Sequence, residues 1–208
     1  MRSTVREELF NLPNMLTMLR IAGIPLVMLF IWRGEPADCV IAGWIYSAAT
    51  ITDYFDGYLA RRQGLVTVLG KFLDPLADKL IVMAMLVMLV ALHRVPGWLA
   101  VIILAREMTI NGLRALASSE GMIIAAGNSG KIKTALQMIG ILCLVIHYPY
   151  DVNFGGLHRA PVDFHLVGIW VMVGSVFFSL TSAVEYFRAF FDAIDRKRRG
   201  RDEVEGTT

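Results

Sequence analysis

The sequence predicts an all-α integral membrane protein with six transmembrane helices. Of its 208 residues, 56% are hydrophobic and the mean hydropathy is +0.57, which is too apolar for a domain with a fully polar surface. Several apolar runs approach the roughly 20 residues that a membrane-spanning helix needs. Polar, charged or Pro-containing turns separate these runs, so the helices can be placed in order along the chain.

The first predicted helix follows a polar N-terminal segment, residues 1–13, and covers the apolar run 14–32. A signal peptide is the alternative, but no small-residue cleavage site follows the run. Asn14, Thr17 and Arg20 are spaced by three, so one face of this helix is polar. A snorkelling arginine with a helix cap, or a binding face, would both explain that pattern.

The remaining helices are predicted from the same apolar runs. A turn at 33–38 leads into helix two, and the longest loop, 147–164, carries tyrosines typical of a membrane interface. The tail, 192–208, is basic and then acidic, and we predict that it is disordered. Cys39 and Cys143 lie in apolar runs and are predicted to be buried rather than paired in a disulfide. The helices of the main domain, 14–191, are predicted at 39–62, 70–93, 98–118, 131–146 and 167–191.

The distribution of basic residues predicts the orientation. Six spans place both termini on one side, together with the 62–70 loop and the 118–131 connection. Of the 20 Lys and Arg residues, only Arg33, Arg94 and Arg159 fall on the opposite side. Cytoplasmic segments carry the excess of positive charge, so both termini are predicted to be cytoplasmic.

Four aspartates lie between residues 53 and 78, divided between the end of helix two and the start of helix three. Spacings of three and four residues place each set on one helix face. Carboxylates at a membrane edge are costly unless cations or metals pair with them, and hard divalent ions prefer oxygen ligands. Small residues on the same faces let a ligand approach the backbone. The residues are Asp53, Asp56, Gly57 and Ala60, followed by Gly70, Asp74 and Asp78.

The complete pattern resembles the signature of the CDP-alcohol phosphatidyltransferase family, and it matches every fixed position of that signature. Solvated acids at helix ends, or a proton relay in a transporter, are the alternatives. A transporter is disfavoured because the sequence shows neither inverted repeats nor helices broken at mid-membrane. The matching stretch reads Asp53-x2-Asp56-Gly57-x2-Ala60-Arg61-x8-Gly70-x3-Asp74-x3-Asp78.

The resemblance implies an enzyme of a bacterial inner membrane, a homodimer, whose active site opens to the cytoplasm. An alcohol attacks the β-phosphate of a CDP-linked lipid and CMP leaves. Two divalent ions, Mg²⁺ or Mn²⁺, are implied at Asp53, Asp56, Asp74 and Asp78, and Asp78 is implied as the general base. The residues expected to bind CDP-diacylglycerol are Asn14, Thr17, Asp53, Gly57, Ala60, Arg61, Thr67 and Gly70.

Cations further along the chain suggest an anionic acceptor. Their surroundings resemble the phosphatidylglycerophosphate synthase branch, which implies sn-glycerol 3-phosphate as the acceptor. Positive-inside bias, contact with lipid headgroups, or a branch that makes phosphatidylinositol phosphate or cardiolipin are the alternatives. Glu107 follows one of the cations, but neighbours in sequence are not expected to face each other on a helix. Membrane lipids are expected partners and nucleic acids are not. The four candidate cations are Arg106, Arg114, Lys131 and Lys133.

Overall fold

Helices form most of the described chain. The computed structural model describes residues 12–63, 68–122, 128–153 and 159–205. Within these ranges six helices follow one another, and a two-stranded antiparallel sheet precedes the last of them. The prediction of a six-helix chain is therefore confirmed for the described residues. The elements are α1 Leu12–Arg33, α2 Pro36–Gln63, α3 Val68–Ala91, α4 Gly97–Ser119, α5 Asn128–Ile146, β1 Pro149–Asn153, β2 Arg159–Asp163 and α6 Phe164–Glu205.

Residues in the left-handed region follow four of the helices. Gly34, with φ +76°, follows α1, and Gly121, with φ +70°, follows α4. His93 and His147, with φ 58° and 64°, lie just beyond α3 and α5. A left-handed residue at this position directs the chain away from the helix axis. Pro36 then begins α2, because its fixed φ suits the first helical position. The predicted turn at 33–38 is therefore shorter than expected.

The connection between α5 and α6 contains the strands β1 and β2, which the sequence did not predict. Its tyrosines are bonded to protein groups. The hydroxyl of Tyr148 donates to the carbonyl of Gly34 at 2.5 Å, and that of Tyr150 donates to the carbonyl of Pro36 at 3.0 Å. These bonds attach the hairpin to the turn between α1 and α2.

Arg94 binds the last carbonyl groups of α5. Its side chain is buried, and Nη1 donates to Val145 O at 3.0 Å and to Leu144 O at 3.4 Å. A cation at this position also complements the negative end of the helix dipole. Arg33 pairs with Asp38 at 3.1 Å. Two of the three cations predicted on the non-cytoplasmic side are therefore paired within the protein.

His147, just beyond the end of α5, has a lowered pKa. Burial, followed by electrostatic interactions with Arg94 and His165, lowers the pKa of His147 from 6.5 to about 4, and Asp163 opposes the change. The His147 and His165 rings meet edge to face with centroids 4.8 Å apart. His147 is therefore neutral in the folded protein at neutral pH.

The chain divides into two compact units. Unit 1 consists of Met1–Pro96 and Met138–Trp170, and unit 2 of Gly97–Gln137 and Val171–Thr208. In unit 1, α1 packs against both α2 and α3. Both cysteines are free and buried there, as predicted. Unit 1 buries Val27, Ile31, Met85, Leu86 and Leu89, and unit 2 buries Ile110, Ala183 and Tyr186 beside Leu113 and Phe187.

Many large apolar side chains point away from the protein. All four tryptophans are exposed, namely Trp32, Trp44, Trp98 and Trp170. Exposed apolar surface on this scale indicates contact with lipid or with another protein. Among the described residues, Asn14–Arg33 and Phe164–Lys197 are long and apolar enough to cross a membrane, and Ile132–Ile146 is a shorter apolar helix.

The last helix is longer than the sequence analysis predicted. Helix α6 passes Phe191 and continues to Glu205, so the expected disorder of the tail is corrected for 192–205. The 42 residues of α6 span about 63 Å at the usual rise, roughly twice the thickness of a bilayer core. Nζ of Lys197 donates to the carbonyl and carboxylate of Glu120, at 2.9 and 2.7 Å, which helps hold the extension.

Candidate active site

The acidic motif occupies the end of α2 and the first half of α3. Because both segments are helical, the spacing places Asp53 with Asp56, and Asp74 with Asp78, on one face of each helix. The side chains of 53–75 lie outside the described part, so their joint coordination of metal ions stays a prediction. The other motif residues are Gly57, Ala60 and Arg61 on α2 and Gly70 on α3, while Thr67 lies outside the described residues.

Asp78 is the motif aspartate whose side chain the structure does describe. It is half-buried on α3 and interacts electrostatically with the phenol of Tyr46 on α2. Tyr46 is itself buried, and the hydroxyl of Thr50 donates to its carbonyl at 2.9 Å. The expected general base therefore lies close to α2, the helix that carries the first half of the motif.

The polar face of α1 is buried in unit 1. Asn14, Thr17 and Arg20 are each no more than 5% exposed, although they lie on an apolar helix. Nε of Arg20 donates to the carbonyl of Ala49 at 3.2 Å, one helical turn before Asp53. Arg20 thus binds inside the protein rather than extending to the membrane surface. Asn14 and Thr17 belong to the same compact unit as the acidic motif.

Arg106 is fixed by three neighbouring groups in unit 2. Its Nε donates to Ser179 O at 3.1 Å, Nη2 to the Ser182 hydroxyl at 3.0 Å, and Nη1 to Oε1 of Glu107 at 3.1 Å. The expectation that Arg106 and Glu107 do not meet was wrong, because their long side chains bend towards each other beyond the helix surface. Arg106 therefore links α4 to α6.

Lys133 contacts the same carboxylate. Its ammonium group forms an ion pair with Oε1 of Glu107, and both side chains are at least nine-tenths buried. Glu107 thus neutralises two cations at once, one from α4 and one from α5. The structure therefore brings together two of the four predicted acceptor residues, Arg106 and Lys133, around a carboxylate to which the sequence analysis assigned no role.

The other two predicted acceptor residues differ in their surroundings. Arg114 lies two turns after Arg106 on α4 and is exposed, with its guanidinium 5.9 Å from the centre of the Tyr186 ring. That distance is within the range of a cation–π interaction. The side chain of Lys131 lies outside the described part of the structure. Arg114 therefore presents a charge at the surface of unit 2.

Comparisons with known proteins agree with the motif. A family profile described as CDP-alcohol phosphatidyltransferase matches residues 10–195. The CDP-diacylglycerol--glycerol-3-phosphate 3-phosphatidyltransferase of Bacillus subtilis (strain 168) is 40% identical over 89% of this chain and 98% of its own length. The relative of the same name from Rickettsia bellii is 35% identical, over 86% and 94%. A cardiolipin synthase (CMP-forming) of rice is 38% identical, but over 66% of this chain and 46% of its own.

The fold and the site define a class of protein, namely a helical, membrane-associated protein with an acidic motif on two successive helices. The profile covers most of the chain, and the Bacillus subtilis relative aligns with it over nearly the whole of its own length. The chain therefore belongs to the CDP-alcohol phosphatidyltransferase family. This confirms the resemblance on which the sequence analysis relied.

Proposed function

We propose that the protein transfers the phosphatidyl group of CDP-diacylglycerol to sn-glycerol 3-phosphate, which gives phosphatidylglycerophosphate and CMP. The similarity to the Bacillus subtilis enzyme over nearly the whole of both chains carries this proposal. An acceptor hydroxyl oxygen forms a bond to the β-phosphorus, and the bond from that phosphorus to the CMP oxygen breaks. Asp78 accepts the proton of the attacking hydroxyl.

The four motif aspartates fit a site for two divalent ions. They offer carboxylate oxygens only, from two successive helices, and this donor set suits Mg²⁺ or Mn²⁺ better than zinc. When bound, such ions neutralise charge on the diphosphate and on the departing CMP. Asp53, Asp56, Asp74 and Asp78 would hold them. The electrostatic interaction of Asp78 with Tyr46 of α2 supports a role in the same site as the first half of the motif.

The donor lipid is assigned to residues of unit 1. Arg61 pairs with the diphosphate through charge-assisted hydrogen bonds, and Thr67 contributes a hydroxyl. Burial of Asn14 and Thr17 on α1, which packs against α2 and α3, supports their part in binding. Small residues at three motif positions allow the nucleotide to approach the backbone: Gly57, Ala60 and Gly70.

The acceptor phosphate is assigned to cations of unit 2. Three nitrogens of Arg106 already donate to protein groups, so we assign Arg106 to holding α4 against α6 and orienting Glu107. Arg114, Lys131 and Lys133 remain as the phosphate ligands. A dianionic phosphate near a bilayer needs several such donors, because its charge is expensive to desolvate.

We assign six membrane spans to the helices, with both termini and the active site on the cytoplasmic side of a bacterial inner membrane and with a homodimer as the functional unit. The excess of Lys and Arg on that side supports the orientation. The four exposed tryptophans support the placement of the span ends, not the choice of side. Each lies in the half of its helix that adjoins a predicted outer connection, where an interfacial aromatic belt is expected.

Cardiolipin synthesis is the second candidate, because the rice relative of that name is 38% identical over two thirds of this chain. The deciding experiment measures CMP release by the purified protein with CDP-diacylglycerol and one acceptor at a time. We expect sn-glycerol 3-phosphate to be used best, and glycerol, phosphatidylglycerol and inositol phosphate to be used poorly. Preference for phosphatidylglycerol would indicate cardiolipin synthesis instead of the proposed reaction. Absence of CMP release with every acceptor would reject the enzyme class.

A further inference from the structure

Two buried polar atoms in unit 2 have no hydrogen-bond partner within the described part of the protein. They are the amide nitrogen of Gln137 on α5 and the hydroxyl of Ser179 on α6. Gln137 is 4% exposed and Ser179 is 1% exposed. Buried polar groups are nearly always paired, so an unpaired one calls for a ligand or a water molecule.

Gln137 adjoins Lys133, which is assigned to the acceptor, and Ser179 adjoins Arg106, which contacts the same carboxylate as Lys133. Gln137 lies four residues after Lys133 on α5, on the same helix face. The carbonyl of Ser179 accepts a hydrogen bond from Arg106 at 3.1 Å. Arg106 and Lys133 in turn meet at the carboxylate of Glu107. The unpaired amide and hydroxyl therefore belong to residues that neighbour one buried polar cluster, Gln137 by its spacing from Lys133 and Ser179 by its bond to Arg106.

The proposed acceptor has a group whose hydrogen bonds cations satisfy only in part. Glycerol 3-phosphate carries a phosphate, a primary hydroxyl that reacts, and a secondary hydroxyl that does not. Lysine and arginine donate hydrogen bonds but cannot accept them. A hydroxyl is best held by groups that include both a donor and an acceptor, and the amide of Gln137 with the hydroxyl of Ser179 supplies both.

We propose that Gln137 and Ser179 bind the secondary hydroxyl of the acceptor and so select a glycerol phosphate over a phosphate ester without that hydroxyl. This inference rests on the proposed function and extends it. A site built to hydrogen-bond a hydroxyl rejects the analogue that lacks it, because the buried polar groups then stay unpaired. Neither residue takes part in bond making.

The test compares two acceptors in the purified full-length protein. 3-Hydroxypropyl phosphate keeps the phosphate and the reactive primary hydroxyl of glycerol 3-phosphate and lacks the secondary one. We expect the wild type to prefer glycerol 3-phosphate in kcat/KM by about tenfold or more. In Gln137→Met and Ser179→Ala, kcat/KM should fall by about three- to tenfold for glycerol 3-phosphate and by less than about twofold for the analogue.

Ser175→Ala is the matched control. Ser175 lies one turn before Ser179 on α6 and is equally buried, but its hydroxyl donates to Met172 O at 2.7 Å within the helix. This variant should leave the preference between the two acceptors unchanged.

Three results would overturn the inference. They are equal use of both acceptors by the wild type, an equal loss on both acceptors in the variants, and no loss on either, which would indicate that water occupies the unpaired groups. Wild type that releases no CMP with glycerol 3-phosphate would reject the proposed function as well.

Discussion

Glu107 should be worth more to the stability of the protein than either cation it contacts. Its carboxylate is buried against Arg106 and Lys133. Glu107→Gln preserves the shape but removes the carboxylate charge that both buried cations contact, and breaking a buried ion pair costs about 3–5 kcal/mol. Lys133→Met leaves Glu107 paired with Arg106 and should cost about 1–2 kcal/mol.

Thermal unfolding in detergent, followed by circular dichroism, measures this difference. For a chain of this length 1 kcal/mol corresponds to about 2–4 °C in Tm, so Glu107→Gln should lower Tm by about 6–20 °C and Lys133→Met by about 2–8 °C. Glu120→Gln is the control, because its ion pair with Lys197 is half exposed and such pairs contribute at most about 1 kcal/mol. A Glu107→Gln protein as stable as Lys133→Met would refute the reasoning.

Four further predictions test the site, the orientation and a titrating group. Asn at Asp53 or at any other motif aspartate should reduce turnover by orders of magnitude, and EDTA should abolish activity until Mg²⁺ or Mn²⁺ is added; full activity in EDTA would contradict the metal site. A membrane-impermeant maleimide added to intact cells should label Asp151→Cys and not Arg199→Cys, with a low background because both native thiols are buried; the reverse pattern would invert the orientation. Arg114→Ala should weaken use of glycerol 3-phosphate by about ten- to a hundredfold, since charge-assisted bonds contribute about 1.5–3 kcal/mol; an unchanged KM and kcat would make this charge topological. Because folded His147 binds fewer protons than the unfolded chain, its contribution to stability is complete above about pH 6.5 and is lost as the pH falls towards about 4. His147→Asn, which tolerates the left-handed backbone, should reduce the fall in Tm between pH 7 and 5. A fall identical to that of the wild type would show that His147 does not cause this pH dependence.

The parts of the fold that the sequence predicted are local in the chain. Helix two was predicted to end at residue 62 and ends at Gln63, and helix five was predicted to end at Ile146 and does so. Long apolar runs separated by turn residues determine such helices, because each backbone hydrogen bond closes within four residues. The motif spacing was readable for the same reason, since it depends only on helical periodicity within α2 and α3.

The contacts that the sequence did not predict join distant parts of the chain. Arg106 and Ser179 are 73 residues apart, and nothing in either neighbourhood indicates that they meet. The strands β1 and β2 contain Pro, Asp and Asn, which are uncommon in strands, so their composition did not indicate a sheet. The two segments form strands because they pair with each other. The prediction of a disordered tail was wrong for 192–205. The charged residues there are common in disordered segments, but they are also good helix formers, and extending an existing helix costs less than starting one.

The assignment of donor and acceptor to different sets of residues has a kinetic consequence. The acidic motif and the polar face of α1 belong to unit 1, whereas Arg106, Glu107 and Lys133 belong to unit 2. We infer that donor and acceptor binding respond to different substitutions. A change at Lys133 should raise the KM for glycerol 3-phosphate and leave that for CDP-diacylglycerol nearly unchanged, because Lys133 is assigned to the acceptor phosphate and not to the diphosphate. A change at Asp78 should reduce kcat with either substrate saturating, because proton transfer from the acceptor precedes product release whichever substrate is varied.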